Sequence, residues 1–274
     1  DIDIVPSPRG DKILLYHPHS GSTEVFSASG KQIHHDQQRY GGARRIQWFP
    51  DSIHWLEDTI FTPRWGETHL AALGNVLSKK VTYLVDAQTH KSILTQHTFT
   101  LTGNGDSLWL LDIPFGKVSL ESVLEGLSTN SVTIRQMRIL PHTTHKSIGG
   151  VLNGTKVTVQ EVQLIHTKTL ILPQPLCIQD AVFSPNGQRI LWLCYPVPPK
   201  GQKNQKPDGL QLYVSTKNQQ GLHHVADLEP ISSLLDVGKI GWCNSNSDAW
   251  LRKDAKAYTL HLNFLDTMLS DTPH

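Results

Sequence analysis

An all-β fold is predicted by three features: a strand–turn–strand segment, its recurrence at a rough period, and apolar runs too short for long helices. The clearest copy is Cys177–Tyr195, CIQDAVFSPNGQRILWLCY. Ile178, Ala181 and Phe183 precede the turn, and Ile190, Leu191, Trp192 and Leu193 follow it. Four consecutive apolar residues bounded by turn residues suit a strand buried on both faces. Pro185 presets its φ for the second position of a turn, and Gly187 accepts a positive φ without steric cost. A hairpin of this kind cannot bury its own faces, so it needs neighbours.

Taken in order, the chain repeats this unit. Residues 1–35 place a Ser7-Pro8-Arg9-Gly10 turn before Lys12–Tyr16, then Thr23–Ser27, a Ser29-Gly30 turn and Lys31–His35. Arg44–Asp58 repeats the opening pair around Phe49-Pro50-Asp51-Ser52, and Lys80–Asp86 and Ser92–His97 complete a second unit after a long insertion. His97–Asp112 turns through Thr102–Asp106, and Lys117–Leu124 and Val132–Leu140 supply two further strands. Ser147–Leu152 and Lys156–Ile165 flank Asn153-Gly154, a pair that favours a tight hairpin, with residues 169–172 closing a fourth unit. The fifth holds Cys177–Tyr195, Leu210–Ser215 and Leu222–Val225; the sixth holds Lys239–Cys243, Ala249–Arg252 and Tyr258–Leu265.

The turn positions Gly10, Asp51, Gly105, Gly154, Gly187 and Ser247 lie 41, 54, 49, 33 and 60 residues apart. Self-similar four-strand units at this period predict a single β-propeller of six blades, each of four antiparallel strands. The blades fall near 1–43, 44–97, 98–146, 147–176, 177–235 and 236–274. In such a ring each sheet covers its neighbour's face, and closure hides the edges. A pair of two-sheet sandwiches is the competing architecture. SPRGDKILLY, SPNGQRILWL and the weaker FPDSIHWLED resemble the WD40-like repeats of TolB-type propellers, a family of six- or seven-bladed domains. That resemblance implies the fold and nothing catalytic.

Composition narrows the function classes. Lys and Arg number 25 against 24 Asp and Glu, so no electrostatic footprint for nucleic acid is expected. No run is long and apolar enough to span a bilayer. The chain opens at Asp1, as a processed product or an excised piece would, and an upstream signal or membrane anchor could have been removed; the compartment stays open, leaning extracytoplasmic. Cys177, Cys194 and Cys243 show no CxxC or zinc spacing. They read as small buried hydrophobes, with a Cys177–Cys194 disulfide across the hairpin as the alternative.

No GxSxG, P-loop, HExxH, EF-hand or dinucleotide fingerprint is present. Neither a catalytic set nor a cofactor is expected. Histidine is enriched, with 15 copies. His17 and His19 flank Pro18 and point the same way in an extended chain, so they offer two ligands where a metal needs three or four. His34-His35, His223-His224 and His142/His145 are further pairs. Solvated loop and edge positions are the plain reading of all of them. Trp55, Trp109, Trp192 and Trp250 recur in second strands, and Trp48 and Trp242 in first strands, as core packing between sheets.

Three insertions carry the binding expectation: His17–Ser22, Thr59–Lys79 and Pro196–Gly209. All join second to third strands and so decorate one rim. Trp65 sits beside Arg64 on an irregular loop, the composition of an interface hot spot, although a loop anchored to its own blade would look the same. The expected contact residues are His17, His19, Arg64, Trp65, His69, Lys200 and Lys203. Pro196–Gly209 is either a mobile solvated loop or, through its lysines, a contact for an anionic partner. The expectation is a monomeric, non-enzymatic domain that binds a protein or glycan. A propeller lyase or hydrolase, with a metal or polar centre at the channel mouth, is the alternative.

Overall fold

A computed structural model describes residues 2–17, 22–37, 42–61, 68–95, 98–113, 129–146, 157–184, 188–196, 209–216, 222–228, 239–242, 248–253 and 256–262. All its regular elements are strands. The chain divides into two compact units: Asp1–Asp112 with Ile134–Lys168, and Ile113–Thr133 with Thr169–His274.

The first unit opens with an antiparallel meander of β1 (Asp3–Pro6), β2 (Lys12–His17), β3 (Ser22–Ser27) and β4 (Gln32–Gln37). A second meander follows: β5 (Gly42–Trp48), β6 (His54–Phe61), β7 (Thr68–Asn75) and β8 (Lys80–Asp86). β9 (Thr98–Asn104), β10 (Ser107–Asp112), β11 (Thr129–Lys146) and the first part of β12 (Val157–Phe183) make the third group. β12 also runs parallel to β8, from Val159↔Tyr83 to Val162↔Asp86.

Period-2 alternation on β5 and β6 explains why the second meander is apolar on both faces. Trp48 and Trp55 face the first meander and pack with Leu14, Tyr16, Val25 and Val76. Phe49 and Leu56 face the other way, onto Leu108, Leu110, Met137 and Ile139. The rings of Trp48 and Trp55 meet edge to face, 5.9 Å between centroids. Trp48 Nε1 also donates to the Val5 carbonyl at 2.9 Å, tying β5 to β1.

β7 corrects the expected layout. It lies inside what was read as the insertion Thr59–Lys79, so the connection shrinks to residues 62–67 and β8 is the fourth strand of its meander. Ser92, expected to open that fourth strand, makes only an isolated bridge to Val85. The physical reason is volume. Gly74 is paired with Trp55, and a Cβ on Gly74 would fall 2.0 Å from the indole. A strand written Leu70-Ala71-Ala72-Leu73-Gly74 therefore carries little of the β-branched signal by which strands are recognised.

In the second unit, Leu176–Phe183 of β12 pairs with β13 (Arg189–Pro196), followed by β14 (Leu210–Thr216) and β15 (His223–Leu228). β16 (Lys239–Trp242), β17 (Asp248–Lys253) and β18 (Lys256–His261) form a three-stranded sheet. Leu191, Leu193, Tyr195, Leu212 and Val214 pack with Ile240, Ala249 and Leu251. Trp242 Nε1 donates to the Val182 carbonyl at 3.1 Å, and Ile240 N donates to Asp180 at 3.1 Å.

Residues 157–176, expected within a separate fourth unit, belong to β12, and the Asn153-Gly154 turn lies outside the described residues. Cys177 and Cys194 are buried free thiols. The register sets Cys177 against Tyr195 and Cys194 against Ile178, so the two thiols point to opposite faces of the sheet. That geometry removes the disulfide alternative. Burial pushes the Cys177 thiol up to about 11 and raises Cys194 further, away from reactive thiolate. Cys243 lies outside the described residues.

Candidate functional site

The site is built at one end of two stacked hairpins. β2 ends at His17 and β3 starts at Ser22, so residues 18–21 join them; residues 62–67 join β6 to β7. Thr23 Oγ1, at the second position of β3, donates to Glu57 Oε1 in the middle of β6 at 3.0 Å. Trp55 Nε1 donates to the same oxygen at 2.6 Å. Tyr16 is the register partner of Thr23, and Glu57 stands four residues before the end of β6. Arg9 N donates to Ser52 Oγ at 3.1 Å, so the β1–β2 and β5–β6 turns share one end of the stacked meanders, and β2–β3 and β6–β7 are joined at the other.

Around the Thr23–Glu57 bond lies a buried polar layer. Glu57, Asp58, Thr59 and Thr23 are each at most 1% exposed. Alternation sends Glu57 towards the first meander and Asp58 to the opposite face. His69 is opposite Ile60 and shares the Asp58 face, diagonal to it. Burial raises the Glu57 carboxyl to about 7, against the hydrogen bonds from Trp55 and Thr23 and with a further push from Asp36. His34 is buried edge-on against Trp55, 5.1 Å between centroids, and its Nε2 has no hydrogen-bond partner among the described residues. Burial lowers its pKa, with the Asp36 carboxylate opposing.

The expected contact residues separate on this frame. His17 stands at the base of the first connection, on the outer face of its meander, with Nε2 3.3 Å from Glu24 Oε2. His35 Nδ1 is 3.3 Å from the other Glu24 oxygen, which also accepts from Gln32 at 3.1 Å. Among the described residues no group of three or more His, Cys, Asp and Glu side chains has the geometry to hold a metal. His69 is not on a loop: it is a buried residue of β7, 6% exposed. It differs from the loop position expected because Thr68–Asn75 is a strand, not part of an insertion. His19, Arg64, Trp65, Lys200 and Lys203 lie outside the described residues. Their flanking strands are described, and 197–208 again joins a second strand to a third, β13 to β14.

Other histidines divide by alternation. His34 points into the core while His35 faces out; His224 sits against Tyr213 and bonds Asp227 at 3.1 Å. The side chains of His142 and His145 are outside the described set. Sequence reasoning missed Glu57 and Asp58, taking them as the polar end of a strand. The available signal was Thr59-Ile60-Phe61, which carries the strand on past both acids.

Among the described residues no helix is long and apolar enough to cross a membrane. No family model and no characterised protein matches the sequence. Solved structures do match by shape. Hydrazine synthase of Kuenenia stuttgartiensis aligns over 98% of this chain at TM-score 0.52 and 8% identity, covering 67% of its own length. Tricorn protease aligns over 97% at TM-score 0.52 and 11% identity, with 26% of its chain covered. TolB of Acinetobacter baumannii aligns over 96% at TM-score 0.48 and 11% identity, with 52% covered. This chain thus spans about a quarter of tricorn protease and half of TolB. At these identities the likeness is one of fold, and the fold is all-β and propeller-type.

Proposed function

We propose that this chain is a non-enzymatic binding domain that contacts a protein or glycan through its second-to-third strand connections. In the first unit these are residues 18–21 and 62–67, carrying His19, Arg64 and Trp65, with His17 at their base. One observation carries the reading: Arg9 N donates to Ser52 Oγ at 3.1 Å, so the β1–β2 and β5–β6 turns share one end of the stacked meanders and β2–β3 and β6–β7 are joined at the other. Loops on rigid sheets are where binding residues concentrate, and Trp beside Arg has the composition of an interface anchor. In the second unit, taken by itself, Lys200 and Lys203 between β13 and β14 offer a basic contact for an anionic partner. An extracytoplasmic location belongs to the same reading.

The test uses a photo-crosslinking residue in place of Trp65, with Leu77 as control. Leu77 is 74% exposed on the β7–β8 turn, at the other end of β7. Crosslinks to a protein partner from position 65 but not 77, or glycan-array binding weakened at least about tenfold by R64A/W65A, are expected. Binding that the double variant leaves unchanged removes this surface from the proposal.

A further inference from the structure

Among the described residues of the first unit, one exposed stretch is a strand edge. Residues 163–167 of β12 are five consecutive exposed residues in the middle of a strand, with Leu164 48% and Ile165 43% exposed. On one side β12 pairs with β11. On the other, β8 pairs only as far as Val162↔Asp86, and Ala87 N donates to the Val162 carbonyl at 2.9 Å. Backbone direction alternates along a strand, so the N–H and C=O groups of Leu164 and His166 face this same side. No described strand takes up the line of β8 beyond Asp86. An edge of alternating donors and acceptors is satisfied in kind only by another strand.

We propose that this edge pairs antiparallel with the same edge of a second copy of the chain, making a two-fold dimer. The segment Gln163-Leu164-Ile165-His166-Thr167 contains no acid, no proline and no lysine, so it lacks the usual devices that keep sheet edges apart. Both outward-facing residues must pair with outward-facing residues, which restricts the register. Centring the axis on Ile165 sets Leu164 against His166 of the partner subunit in a hydrogen-bonded pair. Ile165 then meets the partner's Ile165 in the closer, non-hydrogen-bonded pair, and Gln163 meets the partner's Thr167. Centring on His166 instead would set two histidines against each other and leave Ile165 against a threonine. The pairing window closes where Ala87 already occupies Val162. Self-complementary contact of this kind is isologous and stops at two copies.

Sedimentation velocity on the full chain should show a monomer–dimer equilibrium that shifts with protein concentration. His166→Pro removes an N–H aimed at the open edge and spares the bonds to β11, so the association constant should fall at least about tenfold with the thermal midpoint unchanged. Should that variant lower the midpoint, Ile165→Asp gives a second reading, since it sets like charges directly across the axis. Under mild oxidation, Ile165→Cys should form an intermolecular disulfide faster than Gln163→Cys, because only position 165 meets itself. A wild-type chain that stays monomeric up to about 1 mM overturns the proposal. So does a dimer that neither substitution weakens, and equal crosslinking rates overturn the register.

Discussion

Replacing Glu57 with Gln tests the buried polar layer directly. The wild-type carboxyl rises from 4.5 to about 7 on folding, chiefly because it is fully buried. The folded state therefore holds its proton more tightly than the unfolded chain does. Glu57 costs nothing below pH 4.5, where it is protonated in both states. Stability is lost as pH rises through the interval from 4.5 to about 7, and the loss levels off above it. At 1.36 kcal/mol per pH unit the full loss is about 3 kcal/mol. Gln keeps a carbonyl oxygen for Trp55 and Thr23 and does not titrate. The quantity to measure is the difference in unfolding free energy, variant minus wild type, by urea titration at pH 4, 6 and 8; subtracting the two proteins cancels every other titration. That difference should move in favour of Gln by about 3 kcal/mol between pH 4 and pH 8, most of it between pH 5 and 7. A difference that stays constant across the range would mean that Glu57 is hydrated or paired with a cation, and the buried layer would be wrong.

Other perturbations probe the packing. Gly74→Ala should destabilise by about 3 kcal/mol in thermal or urea unfolding, since the added methyl meets a fully buried Trp55 that has nowhere to move. Lys79 holds φ 54° on an exposed turn, so Lys79→Gly should stabilise by about 0.5 kcal/mol, read as a small upward shift of the thermal midpoint. Trp48→Phe and Trp242→Phe each orphan a first-strand carbonyl, Val5 or Val182. Each should cost about 1 kcal/mol beyond the lost ring area, seen as faster amide exchange in β1 and β12 respectively.

What the sequence makes legible is the turn between first and second strands. Ser7 N donates to the Lys12 carbonyl and Lys12 N returns a bond to Ser7 Oγ; Ser184 and Arg189 repeat both bonds, at 2.8 and 3.0 Å. In the weaker copy Phe49 occupies the serine position and cannot accept. Asp51 does so instead, taking the N–H groups of Ile53 and His54 at 2.8 and 3.0 Å. Burial would raise the Asp51 carboxyl, but these bonds and the His54 ring hold it below the usual carboxylate range. Ser52 at φ 56° stands where Gly10 has φ 70°, and its hydroxyl accepts from Arg9 N at 3.1 Å. A degenerate motif thus keeps its geometry by moving the acceptor two residues along. Less was legible where one residue's volume is set by another. Gly74 and the alanines of β7 make sense only with Trp55 above them, and Glu57 is recognisable as buried only once Thr23 is opposite. Both partners lie far away in the chain.

The Trp48–Val5 and Trp242–Val182 bonds show which part of the repeat is structural. Val5 and Val182 each stand three residues before the turn proline, Pro8 and Pro185. Trp48 and Trp242 each end the first strand of the following sheet. Among the described residues the same donor–acceptor rung therefore occurs once in each unit, although its two ends are 43 residues apart in one case and 60 in the other. Loop length and strand number drift while this contact does not, because an indole N–H placed against a neighbouring strand fixes both the spacing and the slide of two sheets. The variable chain between the rungs includes residues 18–21 and 197–208, both second-to-third strand connections. Insertions there leave the sheet-to-sheet contact untouched, which is the physical condition for a surface that can change its partner without changing its fold.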